Sequence, residues 1–395
     1  MPFELKKYQK RCLDEVAKFL RRTWESQNAK VAFEEMVPQH YHDVGALKGL
    51  PYICVRVPTG GGKTALAAYS VGIAAEKLLR AEMCLVLWLA PTTQIVEQTL
   101  TALKDKRHPY RQALDSSFDG CVTVIDMKSA LGLQRGTLDS DTVVIVSTMA
   151  AMRVENTEGR KIYEDSGILM SNFEGLTDEQ KSILLNENGT GQPARSLANL
   201  LRLRRPVIIV DEAHNARTPL SFESLARFNP SCILEFSATP SQESRNDNEP
   251  SNVLTHVSAA ELKAEDMIKL PIYLKAKRQW VEAVQEALDQ RAELERLAGE
   301  DEKATGQYIR PIVLFQAQRN ISGVKNIIGC CKCFATFLLL FLEHHVCYLH
   351  YGENIFDLRN SCSSRRSSSP RNGVKRCSPG LPGKSINHLS MVHTL

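Results

Sequence analysis

Residues 58–64 read Pro-Thr-Gly-Gly-Gly-Lys-Thr and stand between an apolar run and an alanine-rich run. The apolar run, residues 52–57, predicts a buried strand, and residues 63–79 predict a helix. A glycine turn between a strand and a helix leaves backbone N–H groups pointing inward, where the helix dipole adds positive potential. Lys63 can then reach the β- and γ-phosphates of a nucleotide, and Thr64 can ligate Mg²⁺. The segment predicts a site for ATP and Mg²⁺ formed by these residues: Thr59, Gly60, Gly61, Gly62, Lys63 and Thr64.

A second motif follows another apolar run. Residues 207–210 predict a strand that delivers Asp211 and Glu212 to its carboxyl end, where ligands bind in open α/β sheets. Asp211 is predicted to hold Mg²⁺ through a water molecule, and Glu212 is predicted to orient or deprotonate the attacking water. His214 is predicted to face the other motifs and to couple hydrolysis to movement. The predicted catalytic residues are thus Lys63, Asp211, Glu212 and His214, and the alternative is that the acidic pair only caps the next segment.

Helical stretches separate several of the apolar runs. Further strands are predicted at 84–89, 121–125, 143–147 and 232–236, with helical stretches such as 93–103 between them. Near-continuous apolar strands that alternate with helices are typical of a parallel sheet covered on both faces. The predicted fold class is therefore α/β with a parallel sheet.

Polar residues also follow two of the other predicted strands. Pro91 and Thr92 come after the run at 84–89, and Thr148 comes after the run at 143–147. At a strand end, hydroxyls and the N-terminus of the next helix can hold nucleic-acid phosphates without reading the base sequence. The alternative for both threonines is ordinary helix capping.

Two further segments add predicted motor functions. Residues 237–240, Ser-Ala-Thr-Pro, are predicted to link the nucleotide site to the nucleic-acid path through Ser237 and Thr239. Gln9 lies on an amphipathic helix predicted at residues 4–22, and its amide can bond the adenine edge bidentately. The alternative is that Gln9 is a surface residue of that helix.

The overall charge does not by itself identify a partner. A net charge of +4 permits nucleic-acid binding but does not argue for it, because a basic footprint has to be clustered. Residues 1–20 are amphipathic and charged, unlike a signal peptide. Five scattered cysteines, mostly in apolar runs, are typical of a reduced cytosolic protein. We therefore expect a cytoplasmic protein that is not attached to a membrane.

The composition changes near residue 326. Six of the eleven cysteines lie between Cys330 and Cys377, and residues 361–369 are rich in serine. A zinc site in this region would fit no standard ligand spacing. An apolar run at 334–342 is too short to span a membrane. This region is therefore expected to be a disordered or out-of-frame tail.

Domain boundaries follow from these patterns. Residues 154–205 are polar and predict an insertion between two strands of the first domain. Residues 310–315 predict the first strand of a second α/β domain, but one strand and one helix cannot bury a parallel sheet. The expected organisation is a first domain at 1–265, the start of a second at 266–325 and the tail at 326–395.

The motifs together resemble superfamily 2 helicases of the DEAH type, and more narrowly the Res subunit of type III restriction enzymes. Residues 205–223 carry the narrower match, which includes the Val-Asp-Glu-Ala-His-Asn-Ala-Arg-Thr-Pro segment, and residues 227–230 and 237–240 support it. The loop begins Pro-Thr-Gly, the form used by superfamily 2 helicases, whereas the general pattern places a glycine at the position of Val57. A plain glycine turn is disfavoured, because strand, turn and helix follow in the required order. The likeness covers residues 1–325.

The resemblance implies a P-loop NTPase with two RecA-like domains, ATP between them, and ATP-driven translocation on double-stranded DNA. In complete Res subunits a C-terminal nuclease cuts DNA, and a modification methyltransferase partner supplies sequence recognition. The family pattern also brings arginines of the second domain to the γ-phosphate. No such motif, and no nuclease Asp…Glu-x-Lys arrangement, follows residue 315 in the sequence.

A truncated Res-like motor that binds ATP but hydrolyses it feebly is therefore expected. The alternatives are a superfamily 2 RNA helicase, a nucleotide-binding fragment without turnover, and an ATPase of a transport or signalling complex. The Pro-Thr-Gly loop and the Ser-Ala-Thr segment argue against the last of these.

Overall fold

A computed structural model describes residues 4–152, 161–186, 193–211, 218–241, 250–267, 275, 277, 280–306, 308–316, 348–351 and 354–357. The chain divides into two compact units, residues 1–268 and residues 269–395. The predicted second boundary, at 325, falls outside the described residues. The assignment of the two later regions therefore stays a prediction.

The first unit is built on one parallel sheet. Its described strands are β1 Tyr52–Arg56, β2 Leu85–Ala90, β3 Val122–Asp126, β4 Thr142–Thr148, β5 Val207–Asp211, β6 Cys232–Ser237 and β7 Val253–His256. Their order in the sheet is β3-β4-β2-β5-β6-β1-β7, and every neighbouring pair is parallel. Because parallel strands end at the same edge, the sheet brings the carboxyl ends of β1, β5 and β6 together.

Helices cover this sheet. Their bounds in the first unit are α1 Lys7–Ser26, α2 Ala29–Glu34, α3 Lys63–Ala74, α4 Thr93–Lys104, α5 Pro109–Ser117, α6 Met127–Ala130, α7 Arg135–Ser140, α8 Met149–Met152, α9 Asp178–Ser182, α10 Leu197–Arg204, α11 Pro219–Ala226 and α12 Ala259–Ala264. Short 3₁₀ helices lie at Gly45–Leu47 and Gly167–Phe173, and a π-helical turn, Ala75–Leu79, follows α3.

Two apolar cores lie on the two faces of the sheet, since side chains alternate along each strand. Ile53 and Val55 of β1 belong to one core together with residues of α1 and α3. Tyr52 belongs to the other, together with Phe222 of α11. Every residue of β2 and β5 is buried, which explains the uninterrupted apolar runs in the sequence. The predicted α/β class with a parallel, RecA-like sheet is confirmed.

Some elements differ from the sequence expectation. The strand β7 was not predicted, and it pairs with β1 at the edge of the sheet. Within the segment predicted as a polar insertion, α10 is a helix that buries Leu197, Leu200 and Leu201. The leucines of α10 have helical spacing but stand in a segment of mostly polar composition, and that composition led to the prediction of an insertion. Residues 267–274, whose sequence predicts a crossover strand leaving the first domain, fall almost entirely outside the described residues.

The second unit contains α13 Trp280–Thr305 and a small sheet of β8 Leu314–Gln316, β9 Tyr348–Tyr351 and β10 Asn354–Asp357. The charged sequence predicts a helix over residues 280–297, and the observed helix ends eight residues later. Of the predicted tail, β9 and β10 are described as strands, and the rest lies outside the described residues. Among the helices that the structure describes, none is long and apolar enough to cross a membrane.

Candidate nucleotide site

The glycine segment forms the turn between β1 and α3. Gly60 and Gly62 have φ angles of +84° and +81°, in the left-handed region that glycine adopts without strain. Gly62 is the N-cap of α3, and its carbonyl accepts a hydrogen bond from the Leu66 N–H at 3.1 Å. The N–H of Gly61 donates to the Pro58 carbonyl at 3.0 Å, which closes the turn. The loop therefore stands at the positive end of a helix, as an anion site requires.

The N-terminal helix α1 holds this loop from one side. The Tyr8 hydroxyl donates to the Gly61 carbonyl at 2.9 Å, and Gln9 Nε2 donates to the same carbonyl at 3.3 Å. The Lys6 N–H in turn donates to Gln9 Oε1 at 2.9 Å. Gln9 is 1% exposed, so it is not a surface residue of α1. Its predicted contact with adenine stays a prediction.

The two central glycines leave no room for a side chain. A Cβ atom on Gly62 would lie 2.5 Å from Gln9 Nε2, and a Cβ atom on Gly61 would lie 2.5 Å from Val57 Cγ1. Val57 occupies the position where the general loop pattern has glycine, and its side chain is buried under the turn. The departure from the general pattern is therefore accommodated by the absence of a side chain at Gly61.

The acidic motif meets the loop at the first turn of α3. Thr64 Oγ1 donates to Asp211 Oδ2 at 3.3 Å, and Asp211 is the last residue of β5. Lys63 and Asp211 are 7% and 6% exposed, so both charges are largely withdrawn from solvent. A hydroxyl and a carboxylate are hard oxygen donors, which fit Mg²⁺. Glu212 and His214 lie outside the described residues, and their predicted roles stay predictions.

Two tyrosines near the loop have perturbed acidity. Burial raises the pKa of Tyr8 to about 12, with smaller contributions from Cys12 and Glu265. Burial, and second the negative charge of Asp211, raise the pKa of Tyr110, in the first turn of α5. Both phenols stay protonated at neutral pH and can donate hydrogen bonds. Tyr110 was not predicted as a site residue, because nothing in its sequence context places it near Asp211.

Residues 237–240 lie beside the loop, since β6 is the neighbour of both β1 and β5. The Val57 N–H donates to the Ser237 carbonyl at 3.0 Å. The Ser237 hydroxyl is buried and accepts a hydrogen bond from the Thr239 N–H at 3.2 Å. The two predicted coupling residues are thus hydrogen-bonded to each other, and Ser237 is hydrogen-bonded to Val57, directly before the loop.

The residues predicted to contact nucleic acid lie on the other side of β5. Ala90, which precedes Pro91, pairs with Thr148 across β2 and β4. Thr92 Oγ1 accepts from the Ile95 N–H at 3.3 Å, and Thr148 Oγ1 accepts from the Ala151 N–H at 3.1 Å. Both threonines therefore cap helices, as the alternative held. Their predicted contact with nucleic-acid phosphates stays a prediction.

A parallel sheet with a glycine loop at the N-terminus of α3, and a carboxylate at the end of β5 on the same edge, defines a nucleotide-binding domain of the P-loop class. The sequence pattern of the family described as "Type III restriction enzyme, res subunit" matches residues 2–242. This chain belongs to that family. No curated protein matches the sequence.

Solved structures with similarity to the chain include the Sulfolobus solfataricus SWI2/SNF2 ATPase core in complex with dsDNA, at 14% identity and a TM-score of 0.29. That match covers 61% of this chain and 33% of the other. The Pyrococcus furiosus Hef helicase domain matches at 14% identity and a TM-score of 0.35, over 86% of this chain and 54% of the other. The ATP-dependent Type ISP restriction-modification enzyme LlaBIII bound to DNA matches at 14% identity and a TM-score of 0.30, over 67% of this chain and 16% of the other. The chain thus spans about half or less of the length of each.

Proposed function

We propose that this chain is the ATP-binding motor domain of a Res-type DNA translocase, which hydrolyses ATP to move on duplex DNA. The observation that carries the proposal is the approach of Thr64 Oγ1 to Asp211 Oδ2, at 3.3 Å, directly after the glycine loop. Hydroxyl and carboxylate come from segments 147 residues apart in the chain. Their meeting at the phosphate end of α3 is what a Mg²⁺-nucleotide site needs.

The residues of the loop bind and orient the triphosphate. The N-terminal N–H groups of α3, together with the side chain of Lys63, would hold the β- and γ-phosphates. Thr64 and Asp211 would hold Mg²⁺, which when bound supplies positive charge to the phosphate oxygens. Because Lys63 and Asp211 are largely buried, their charges act with little screening by solvent. Glu212, the residue after Asp211, is proposed to orient the attacking water.

Adenine recognition is proposed for Gln9. Its Nε2 donates to the Gly61 carbonyl and its Oε1 accepts from the Lys6 N–H, so the amide is held at the loop in a fixed orientation. Binding of a base would exchange these hydrogen bonds for bonds to the adenine edge. The Tyr8 hydroxyl keeps its own bond to Gly61 and would hold the loop during that exchange.

Contact with DNA is proposed at the β2–β4 side of the same sheet edge. Pro91, Thr92 and Thr148 lie there, next to the starts of α4 and α8, where the backbone N–H groups of a helix N-terminus can bind phosphate, and Thr92 is exposed. Contacts of this kind bind the phosphate backbone and carry no base specificity. A separate subunit would then supply sequence recognition, and a modification methyltransferase is the proposed partner.

The test is ATP hydrolysis by the full chain with Mg²⁺, alone and with duplex DNA or RNA of equal length. Stimulation by duplex DNA that is absent in Lys63→Ala supports the proposal. Stimulation by RNA instead would favour an RNA helicase. Nucleotide binding without any polymer-dependent turnover would favour a nucleotide-binding fragment, and a wild type that binds no nucleotide would contradict the proposal altogether.

A further inference from the structure

A carboxylate is buried next to the segment that carries Ser237 and Thr239. Glu235, on β6, is 2% exposed and lies opposite Cys54 of β1 in the register of the sheet. A buried carboxylate is costly unless hydrogen bonds satisfy it. Burial first, and then the charge of Glu235, raise the pKa of the Cys54 thiol, so the sulfur stays a neutral neighbour. The carboxylate plays no part in the nucleotide site described above.

Its hydrogen bonds link three neighbouring parts of the sheet. The Tyr52 hydroxyl, from the first residue of β1, donates to Glu235 Oε2. The Ser251 hydroxyl donates to Glu235 Oε1 at 3.4 Å, and Ser251 comes two residues before β7. Glu235 therefore connects β6 with β1 on one side and with the entry to β7.

Ser251 continues this network to Ser241, the last residue of the segment 237–241, which contains Ser237 and Thr239 and is called the coupling segment below. Its hydroxyl accepts a hydrogen bond from the Ser241 N–H at 3.1 Å, and its own N–H donates to the Ser241 carbonyl at 2.9 Å. One hydroxyl thus donates to Glu235 and accepts from Ser241. Ser241 is therefore linked to the buried carboxylate through the Ser251 hydroxyl.

The coupling segment lies between two anchors. At its start, the Ser237 carbonyl accepts the Val57 N–H from the phosphate loop. At its end, Ser241 is bound to Ser251. Glu235 and Ser237 are two residues apart on β6 and so face the same side of the sheet. Residues 238–240 therefore lie between one residue bound to the nucleotide loop, Ser237, and one bound to the Glu235 network, Ser241.

We propose that Glu235 is a positioning residue, which acts through Ser251 to hold residues 237–241 where they respond to nucleotide in the phosphate loop. The inference rests on the proposed function, since it assumes that the loop binds a nucleotide. It assigns a role in transmission to three residues outside the recognised motifs: Tyr52, Glu235 and Ser251. Without the network, the loop still binds nucleotide, but residues 237–241 no longer respond to its binding.

The experiment measures hydrogen exchange of the Thr239 and Ser241 amides in the full chain, with and without Mg²⁺ and a non-hydrolysable ATP analogue. The variants are Glu235→Gln, which removes the charge, and Ser251→Ala, which removes the shared hydroxyl. Ser251→Thr keeps a hydroxyl and serves as the conservative variant. Ile233→Val is the matched control, because Ile233 is buried on the same face of β6 but is apolar. Analogue affinity and the denaturant midpoint are measured for every variant.

Glu235→Gln and Ser251→Ala are expected to bind the analogue within about twofold of wild type and to reduce the nucleotide-induced protection of the two amides by about tenfold, the effect of losing one hydrogen bond to a charged group. Ser251→Thr and Ile233→Val should both retain the nucleotide-induced protection of the wild type. Wild-type protection in both Glu235→Gln and Ser251→Ala overturns the inference and leaves the proposed function standing. Equal loss in Ile233→Val also overturns it, since general destabilisation would then suffice. Failure of the wild type to bind the analogue contradicts the proposed function, and the inference with it.

Discussion

Replacement of Gly62 by alanine should lower the stability of the fold in two separable ways, one through the backbone conformation of Gly62 and one through its contact with Gln9. Its φ of +81° lies in the left-handed region, and an added Cβ atom would lie 2.5 Å from Gln9 Nε2. Gly49 has a similar φ of +74° but no atom within 4 Å of an added Cβ. The two substitutions share the backbone penalty, and only Gly62→Ala displaces Gln9. Gly49→Ala is therefore the matched control.

The magnitudes follow from these two differences. Alanine in the left-handed region costs about 1–2 kcal/mol, and its restriction of the unfolded chain returns about 0.4–1 kcal/mol. Gly49→Ala should therefore destabilise the fold by about 0.5–1 kcal/mol. Gly62→Ala also removes the Gln9 hydrogen bond to the Gly61 carbonyl, which adds about 1 kcal/mol. The expected total for Gly62→Ala is about 1.5–2 kcal/mol.

The assay is denaturant unfolding of wild type, Gly49→Ala, Gly62→Ala, Gln9→Ala and the double variant of Gly62 and Gln9. In the Gln9→Ala background, the added Cβ of Gly62→Ala meets no amide, so its cost should fall to that of Gly49→Ala. The double-mutant cycle should then show a coupling of about 1 kcal/mol. Additivity within about 0.3 kcal/mol would refute the claim that Gln9 is packed against the loop at Gly62.

The remaining predictions concern pH, helix packing and the metal. The Arg195 side chain and N–H bind the Asp165 carboxylate and hold the pKa of Asp165 below its ordinary value. A carboxylate whose pKa is lowered in the folded state stabilises the fold at pH values above its ordinary pKa of about 3.9. This stabilisation is lost as the pH falls through the pKa of the folded state. The protection factors of the amides at residues 161–173 should therefore fall below about pH 4 in wild type and fall much less in Asp165→Asn. Gly72→Ala, in the interior of α3, should cost about 1–3 kcal/mol by overpacking, because its Cβ would lie 2.2 Å from Ser117 Oγ. Ser117→Gly should recover most of that loss in an unfolding assay, and a stabilising Gly72→Ala would contradict the close approach of α3 and α5. Asp211→Asn should raise the Mg²⁺ concentration for half-maximal nucleotide binding by about tenfold, and an unchanged Mg²⁺ dependence would exclude Asp211 as the metal residue.

The strands that position the nucleotide site and the edge strand β3 could be predicted from the sequence, whereas the other edge strand, β7, could not. Residues 52–57, 207–210 and 232–236 are apolar except for Arg56 and Glu235, because these strands are largely buried on both faces of a parallel sheet. The edge strand β7 has only four residues and ends on the exposed His256, so its pattern is indistinguishable from that of a loop.

Within the candidate site, the loop and Asp211 were predictable because each follows its own strand. Their contact was not, since only the strand order β5-β6-β1 brings Thr64 and Asp211 together. The Gln9 contact with Gly61 also depends on how α1 packs across the loop. Glu235 stood inside a predicted strand as one polar residue, and sequence gives no sign that Tyr52 and Ser251 converge on it.

The central claim is that the glycine loop binds Mg²⁺ and ATP through Lys63, and calorimetric titration of the full chain tests it most directly. Wild type, Lys63→Ala and Lys161→Ala are titrated with ATP and Mg²⁺, and the last is the control, since Lys161 is an exposed lysine outside the site. Lys63 is predicted to contribute a charge-assisted hydrogen bond to phosphate, so its loss should weaken binding by about 10–100-fold. Lys161→Ala should bind as wild type does. Equal affinities of Lys63→Ala and Lys161→Ala would contradict the account.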